Sequence, residues 1–172
     1  MPLQDVLDEL LTSSRTGPLI TAVRHFEARP AVYAPFPSSL DPRLVEALRG
    51  RGIQQLYSHQ ARAFDTVAKG EHLVVVTPTA SGKTLCYNLP VLQALVQQPE
   101  SRVLYLFPTK ALAQDQLAEL MELAKTLPDM RMFTYDGDTP QDARRSVRAR
   151  ANLVLTTPTC STRESCRITP NG

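Results

Sequence analysis

The chain has 172 residues, 42% of them hydrophobic, which suffices for one domain of ordinary size with its own core. Nineteen basic residues against 17 acidic ones leave a formal charge of +2, too balanced to indicate a nucleic-acid or membrane partner by itself. No apolar run reaches the length of a signal peptide or of a membrane span, so we expect a cytoplasmic protein that makes no membrane contact. The three cysteines lack CxxC spacing, which argues against a disulfide framework and against a zinc site.

Residues 1–40 are expected to form a short helix followed by an extended arm. In LQDVLDELL, residues 3–11, the apolar side chains recur at helical spacing, which predicts an amphipathic helix. The stretch that follows is interrupted by four prolines: Pro18, Pro30, Pro35 and Pro37. Because proline breaks long regular elements, we expect this stretch to lie extended over a separate domain.

Two helices with clear start and stop signals come next. One is predicted to begin after an N-cap aspartate, Asp41, with proline at its first position and Gly50 just past its end. The other is predicted to be capped by Ser58 and closed by Gly70.

Short apolar runs then alternate with helical stretches. The runs predict strands at 72–77, 102–107, 131–135 and 152–156. The helical patterns lie at about 83–97, 109–127 and 140–150. Strands separated by helices indicate βαβ units, so we expect an α/β fold with a parallel sheet flanked by helices.

One strand-to-helix junction carries the sequence TPTASGKT, residues 77–84. Backbone N–H groups at such a junction bind phosphate, and Lys83 would add a positive charge for the β- and γ-phosphates. The Thr84 hydroxyl would help to hold Mg²⁺, so Lys83 and Thr84 are the predicted catalytic residues. Thr77 stands where the GxxxxGK[ST] pattern has its first glycine, and the alternative interpretation is a plain turn with an accidental GKT.

Four segments stand in a fixed order along the chain: LYSHQ (56–60), TPTASGKT (77–84), PTKALAQDQ (108–116), and YDGDTP (135–140) leading into LTTP (155–158). In these segments the chain resembles the first RecA-like domain of a superfamily 2 DEAD/DEAH-box helicase, most closely the YprA/MrfA-type branch associated with DNA repair. The resemblance covers residues 41–158 and implies an incomplete P-loop domain of an ATP-dependent DNA helicase or translocase, with ATP and Mg²⁺ as cofactors.

The resemblance also implies which residues bind ATP. Family members use the glutamine of the first segment for the nucleotide, so Gln60 is expected at the adenine edge, where Tyr57 could stack on the base. Taken alone, this glutamine would be a solvated first-turn residue. The predicted nucleotide-binding residues are Tyr57, Gln60, Thr79, Ala80, Ser81, Gly82, Lys83 and Thr84. Ala80 departs from the family, where glycine is frequent at this position.

The two later segments are expected to contact a nucleic-acid backbone. A helix beginning near Thr109 could offer its first amides, the Thr109 hydroxyl and Lys110 to a phosphate, whereas Gln114 and Gln116 remain ambiguous. The predicted nucleic-acid-binding residues are Pro108, Thr109, Lys110, Gly137, Thr156, Thr157 and Pro158. Backbone contacts carry no sequence preference, and the family favours single-stranded DNA or a duplex with a single-stranded tail.

An arginine-rich helix follows Gly137. Its arginines at 144, 145 and 148 lie near one helical face, and this face meets either phosphate or solvent.

The chain is expected to lack ATP hydrolysis. An ATPase of this class needs an Asp-Glu pair at the end of a later strand, and the only such pair here is Asp8-Glu9 in the first helix. Residues 159–172 show almost no apolar periodicity, and adding one base near codon 157 to a back-translation yields a sequence typical of the branch. We therefore expect an aberrant, disordered tail. The alternative to a helicase part is a non-catalytic nucleotide- or nucleic-acid-binding fragment from a frameshifted gene.

Overall fold

A computed structural model describes residues 2–27, 30–127 and 130–158. The chain divides into two compact units, Met1–Ala31 and Val32–Gly172. The predicted tail, residues 159–172, lies outside the described residues. None of the described helices is both long and apolar enough to cross a membrane.

The first unit contains the helix predicted from LQDVLDELL. It is α1 (Leu3–Thr12), followed by a short 3₁₀ helix at Gly17–Leu19. The Thr16 hydroxyl donates a 2.7 Å hydrogen bond to the Leu10 carbonyl, which holds the connection between the two helices against the end of α1.

The second unit contains five strands and five helices within its described residues: β1 (Tyr33–Ala34), α2 (Pro42–Gly50), β2 (Leu56–Tyr57), α3 (Ser58–Ala68), α4 (Lys83–Gln97), β3 (Val103–Leu106), α5 (Lys110–Leu123), β4 (Met132–Tyr135), α6 (Gln141–Arg150) and β5 (Leu153–Thr156). Strands β1 and β2 form a small antiparallel pair. All the predicted helices are present, and α5 ends at Leu123 rather than at 127.

Local signals explain where the first two of these helices begin. Asp41 caps α2 as predicted, because its carboxylate accepts a 2.9 Å hydrogen bond from the Arg43 backbone N–H. The predicted cap of α3 is wrong by one residue: Tyr57 is the N-cap and Ser58 is the first helical residue. The Gln60 side chain reaches back to the Tyr57 N–H at 2.9 Å, so it satisfies the donor that precedes the helix.

The main sheet is parallel, with the order β3-β5-β4. In the central strand, Leu153 and Leu155 point to one face and join the main core with Leu120 of α5. Side chains alternate along a strand, so Val154 points to the other face and packs against Val147 of α6. Helices therefore cover both faces, which confirms the predicted α/β architecture. Leu153 is fully buried, and truncating such a leucine to alanine costs about 2–5 kcal/mol.

The strand predicted at 72–77 is wrong. These residues form no strand in the described part of the chain, and the side chains of Val74 and Val76 are 86% and 89% exposed. A strand is stabilised by ladder hydrogen bonds to a neighbour, and no described strand pairs with this run. The apolar composition alone could not supply that partner.

The last residues before α2 are tied to α4. The Gln93 side chain accepts a 2.9 Å hydrogen bond from the Asp41 N–H and donates a 3.0 Å bond to the Ser39 carbonyl. Leu40, between them, is 4% exposed and belongs to the main core. This bridge fixes α2 against the helix that follows the predicted P-loop.

Candidate functional site

The predicted P-loop forms a turn that leads directly into α4. Ala80 and Gly82 both have left-handed backbone conformations, with φ of 60° and 73°. The hydroxyls of Thr77 and Ser81 lie 2.6 Å apart across the turn. Left-handed residues in a turn can gather backbone N–H groups into a concave anion-binding surface, so this conformation suits a phosphate.

Helix α4 presents its positive end at the same turn. Its N-cap is Gly82, and among the described residues no side chain caps it. The first N–H groups of a helix have no intrahelical partner, and the helix dipole adds partial positive charge there. These groups can bind a phosphate oxygen.

Lys83 already contacts oxygen atoms of the loop. Its Nζ donates hydrogen bonds to the carbonyl oxygens of Thr77 at 2.9 Å and Pro78 at 2.7 Å. A phosphate in the turn would offer this ammonium a charged acceptor in place of neutral carbonyls, and such charge-assisted bonds are stronger.

Thr84 lines an open cleft of about 720 Å³ together with Lys83, Tyr87 and Gln116. Within the described ranges, no three His, Cys, Asp or Glu side chains gather into a metal site. Mg²⁺ is commonly held by one or two protein oxygens and the phosphates of a substrate. The Thr84 hydroxyl lies beside a turn whose conformation suits a phosphate, which fits that manner of binding.

The first turn of α3 supports the P-loop from the other side. Gln60 is 3% exposed, and its Nε2 donates a 2.8 Å hydrogen bond to the Gly82 carbonyl. The His59 Nε2 lies 2.9 Å from the Ser81 carbonyl oxygen. A Cβ added at Gly82 would lie 2.6 Å from the Gln60 Nε2. Gln60 is predicted at the adenine edge, and in this structure it contacts the backbone of the P-loop.

An aromatic stack lies beside this glutamine. The Tyr57 ring stacks on Tyr33 at 5.2 Å and on His59 at 5.6 Å between ring centroids. A cavity of about 400 Å³ is lined by Tyr33, Tyr57, Gln60 and Leu85, among others. Sequence reasoning missed Tyr33 because its pairing with Tyr57 arises from the β1–β2 pair. His59 is inside the LYSHQ segment and could have been found from that motif.

The predicted nucleic-acid-binding residues lie at or just after the carboxyl ends of the three parallel strands. Pro108, Thr109 and Lys110 come after β3 and are exposed. Gly137 comes after β4 and is also exposed. The Lys110 Nζ lies 2.6 Å from an oxygen of the Asp138 carboxylate, so the loops after β3 and β4 meet. The structure thus brings two of the predicted segments together at one edge of the sheet.

The end of β5 is buried, whereas these loops are exposed. Thr156 is 1% exposed and Thr157 is 3% exposed. The Thr156 hydroxyl donates to the Tyr135 carbonyl, and its own carbonyl accepts a 2.9 Å bond from the Phe107 N–H. Thr156 therefore bridges the ends of the three strands, while Pro158 is exposed.

Arg144 closes the turn that carries Gly137. Its guanidinium donates to the carbonyls of Thr139 at 2.8 Å and of Asp136 and Gly137 at 3.3 Å each. It also lies 5.5 Å from the centroid of the Tyr135 ring. Arg144 thus contacts the turn, while Arg145 and Arg148 are exposed, and phosphate contact by this face stays a prediction.

A family model described as DEAD/DEAH box helicase matches residues 57–164. The chain belongs to the DEAD/DEAH box helicase family. The family's match begins at Tyr57 and includes the P-loop and all three strands of the parallel sheet.

This DEAD/DEAH box helicase chain is 50% identical over 153 residues to the uncharacterized ATP-dependent helicase YprA of Bacillus subtilis (strain 168), covering 88% of the chain and 20% of that protein. It is also similar to the crystal structure of the DUF1998 helicase MrfA bound to DNA, with a TM-score of 0.82 and 47% sequence identity. That match covers 94% of this chain and 22% of the MrfA chain. A crystal structure of MrfA bound to DNA and AMPPNP matches with a TM-score of 0.81 and 48% identity, and this match covers 92% of this chain and 22% of the MrfA chain. The chain thus spans about a fifth of the length of these relatives.

Proposed function

We propose that this chain is the ATP-binding part of an ATP-dependent DNA helicase or translocase. The observation that carries the proposal is the geometry of the P-loop. The loop forms a left-handed turn at the start of α4, the Lys83 ammonium donates to a carbonyl oxygen of this turn, and the Gln60 side chain donates to the Gly82 carbonyl. The relatives support it, because one MrfA structure is described as bound to both DNA and AMPPNP.

In this proposal the P-loop holds the phosphates of ATP with Mg²⁺. Lys83 would exchange the Thr77 and Pro78 carbonyls for phosphate oxygens, and Thr84 would hold the metal ion. Bound ATP would supply the phosphoanhydride bond that a helicase of this family hydrolyses. The cavity beside Tyr33 and Tyr57 is large enough to receive the base, with aromatic faces for stacking.

The edge formed by the loops after β3 and β4 is the proposed nucleic-acid site. Thr109 and Lys110 at the start of α5 and Gly137 in the facing turn would contact phosphates of single-stranded DNA, as would the exposed Pro158 after β5. Backbone contacts of this kind weaken with salt and read no sequence.

Nucleotide binding without turnover is the expected behaviour of this chain alone. The Asp-Glu pair that the reaction needs occurs only as Asp8-Glu9, in α1 of the first unit. Robust ATP hydrolysis that is stimulated by single-stranded DNA and abolished by Lys83→Ala would contradict this part of the proposal.

The test of binding is a titration with a fluorescent ATP analogue in the presence of Mg²⁺. Lys83→Ala should weaken binding by about 10- to 100-fold, since a charge-assisted contact contributes about 1.5–3 kcal/mol. Lys125→Ala is the matched control, because Lys125 pairs with Glu122 on the surface of the second unit, away from the P-loop. Equal affinities of the Lys83→Ala variant and the unmodified chain would refute an ATP site at this loop.

A further inference from the structure

Tyr87 joins the helix of the P-loop to the helix of the proposed nucleic-acid site. It lies one turn after Thr84 in α4, and its hydroxyl donates a 2.6 Å hydrogen bond to Oε1 of Gln116 in α5. Helix α4 begins at Lys83, and α5 begins at Lys110. The bond therefore connects two helices whose first residues are the proposed contacts of two different ligands.

Both partners of this bond are held in place by their neighbours. The Tyr87 ring meets the Tyr105 ring edge-on, with centroids 5.5 Å apart, and the Tyr105 hydroxyl donates to Asn88 at 2.9 Å. On the other side, the Gln116 Nε2 lies 3.4 Å from a carboxylate oxygen of Glu119. That contact turns the amide so that its oxygen faces Tyr87.

Thr84 and Tyr87 lie one turn apart on α4 and line the same cleft. Burial raises the pKa of Tyr87, and the hydrogen bond with the Thr84 side chain opposes that rise. The hydroxyl consequently stays protonated at neutral pH and can donate to Gln116. Tyr87, Thr84, Lys83 and Gln116 line the same open cleft.

We propose that Tyr87 is a positioning residue that couples nucleotide binding at Thr84 to nucleic-acid binding at Lys110 through Gln116. The inference rests on the proposed function, since both ligands must bind. Nucleotide that shifts the first turn of α4 would move Tyr87 with it, and the Tyr87–Gln116 bond would pass that movement to α5. A displacement of Lys110 by nucleic acid moves Gln116 along with the rest of α5, because a helix moves as a rigid element.

Coupling of this kind is reciprocal and can be measured as a ratio. The Kd of the full chain for a fluorescent, non-hydrolysable ATP analogue with Mg²⁺ is measured without DNA and with saturating oligothymidylate. The ratio of the two values for the unmodified chain should differ from one. Tyr87→Phe should bring the ratio closer to one by about 2- to 30-fold, since mutations along coupled networks change coupling by about 0.5–2 kcal/mol.

Two further variants separate this bond from general packing. Gln116→Met removes the acceptor from a partly buried position and should reduce the ratio as much as Tyr87→Phe does. The double variant should show no additional loss. Tyr105→Phe is the packing control. It deletes a hydroxyl that donates to Asn88 at 2.9 Å and lies 3.4 Å from the Tyr87 carbonyl, but it keeps the ring against Tyr87 and the Tyr87–Gln116 bond, so the ratio should stay unchanged.

The outcomes distinguish the inference from the proposed function. Failure of the unmodified chain to bind either ligand would refute the proposed function itself. Binding of both ligands with a ratio of one, or ratios unchanged in Tyr87→Phe and Gln116→Met, would overturn only the coupling. An equal effect of Tyr105→Phe would also overturn it, because core packing would then be the cause. If Tyr87→Phe unfolds the chain in a thermal melt, Gln116→Met decides the question.

Discussion

Lys110, the first residue of α5, and Asp138, in the loop that follows β4, form a 2.6 Å ion pair. Their side chains are 44% and 83% exposed. An exposed pair of this kind contributes only about 0–1 kcal/mol to folding. Its larger consequence is for binding, because Asp138 places a negative charge beside a cation that we assign to a nucleic-acid phosphate.

Replacing this carboxylate should strengthen DNA binding. In Asp138→Asn the repulsion between Asp138 and phosphate disappears, so we expect several-fold tighter binding to oligothymidylate at low salt and a smaller gain at high salt. Fluorescence anisotropy at several salt concentrations measures both effects. Glu122→Gln is the control, since Glu122 forms a pair of the same 2.6 Å length with Lys125 elsewhere on the second unit.

Removing the cation should have the opposite effect and should identify a phosphate contact. Lys110→Ala should weaken DNA binding and reduce the slope of log K against log salt by about 0.7, the value for one phosphate contact on a single strand. A slope that stays unchanged would show that Lys110 does not neutralise a phosphate.

Arg144 should act on DNA binding through the turn that it closes. Arg144→Ala removes hydrogen bonds to Thr139, Asp136 and Gly137, each worth about 1 kcal/mol, and should weaken DNA binding by about three- to tenfold. The salt slope should stay constant, because Arg144 contacts the turn rather than phosphate. Arg145→Ala, on the exposed part of the same helix, should change affinity little. A reduced slope in Arg144→Ala would instead indicate direct phosphate contact.

Two substitutions in the P-loop should have opposite effects on stability. Ala80 adopts φ of 60°, which costs a residue with a side chain about 1–2 kcal/mol, so Ala80→Gly should leave the free energy of unfolding equal or raise it by up to about 1 kcal/mol. Gly82→Ala should lower that free energy by about 1–2 kcal/mol or more.

Gly82→Ala should destabilise the chain for two reasons. Gly82 has φ of 73°, and the added Cβ would lie 2.6 Å from the Gln60 Nε2. Urea unfolding measures the stability, and nucleotide titration should show weaker binding for Gly82→Ala alone. A fully stable Gly82→Ala variant would contradict the close approach of α3 to the loop.

The cap of α2 should make stability depend on pH at the acid end. Hydrogen bonds from the Arg43 side chain and backbone hold the pKa of Asp41 at about 2, below the ordinary 3.8. A lowered pKa in the folded state adds stability above about pH 4, and this stability is lost as the pH falls towards 2.

Asp41→Asn keeps a side-chain oxygen at the cap and removes the charge. The difference in urea midpoint between the unmodified chain and this variant should be largest near neutral pH and should shrink between pH 4 and 2. Arg43→Ala should reduce the same dependence, since it removes the side-chain hydrogen bonds that lower the pKa of Asp41 most and keeps the backbone one. Parallel pH curves for all three proteins would refute the assignment.

Elements specified by nearby residues were predictable from the sequence. Helix α4 runs from Lys83 to Gln97, as its apolar pattern predicts, and α2 begins after its aspartate cap. Parallel strands β3, β4 and β5 lie within one residue of the predicted apolar runs at each end. The strand expected at 72–77 shows the limit of such reasoning, because strand formation depends on a neighbour that composition cannot provide.

The sequence by itself determined the helices, the three strands of the parallel sheet and the position of a GKT turn at the start of a helix, because these follow from caps, periodicity and short-range motifs. Only the tertiary structure decided that Gln60 holds the Gly82 carbonyl, that Arg144 closes the turn at Gly137 and that Tyr87 reaches Gln116. Two of these contacts join residues more than 20 positions apart in the sequence. Their partners are chosen by the packing of helices and loops around the sheet, which no local pattern encodes.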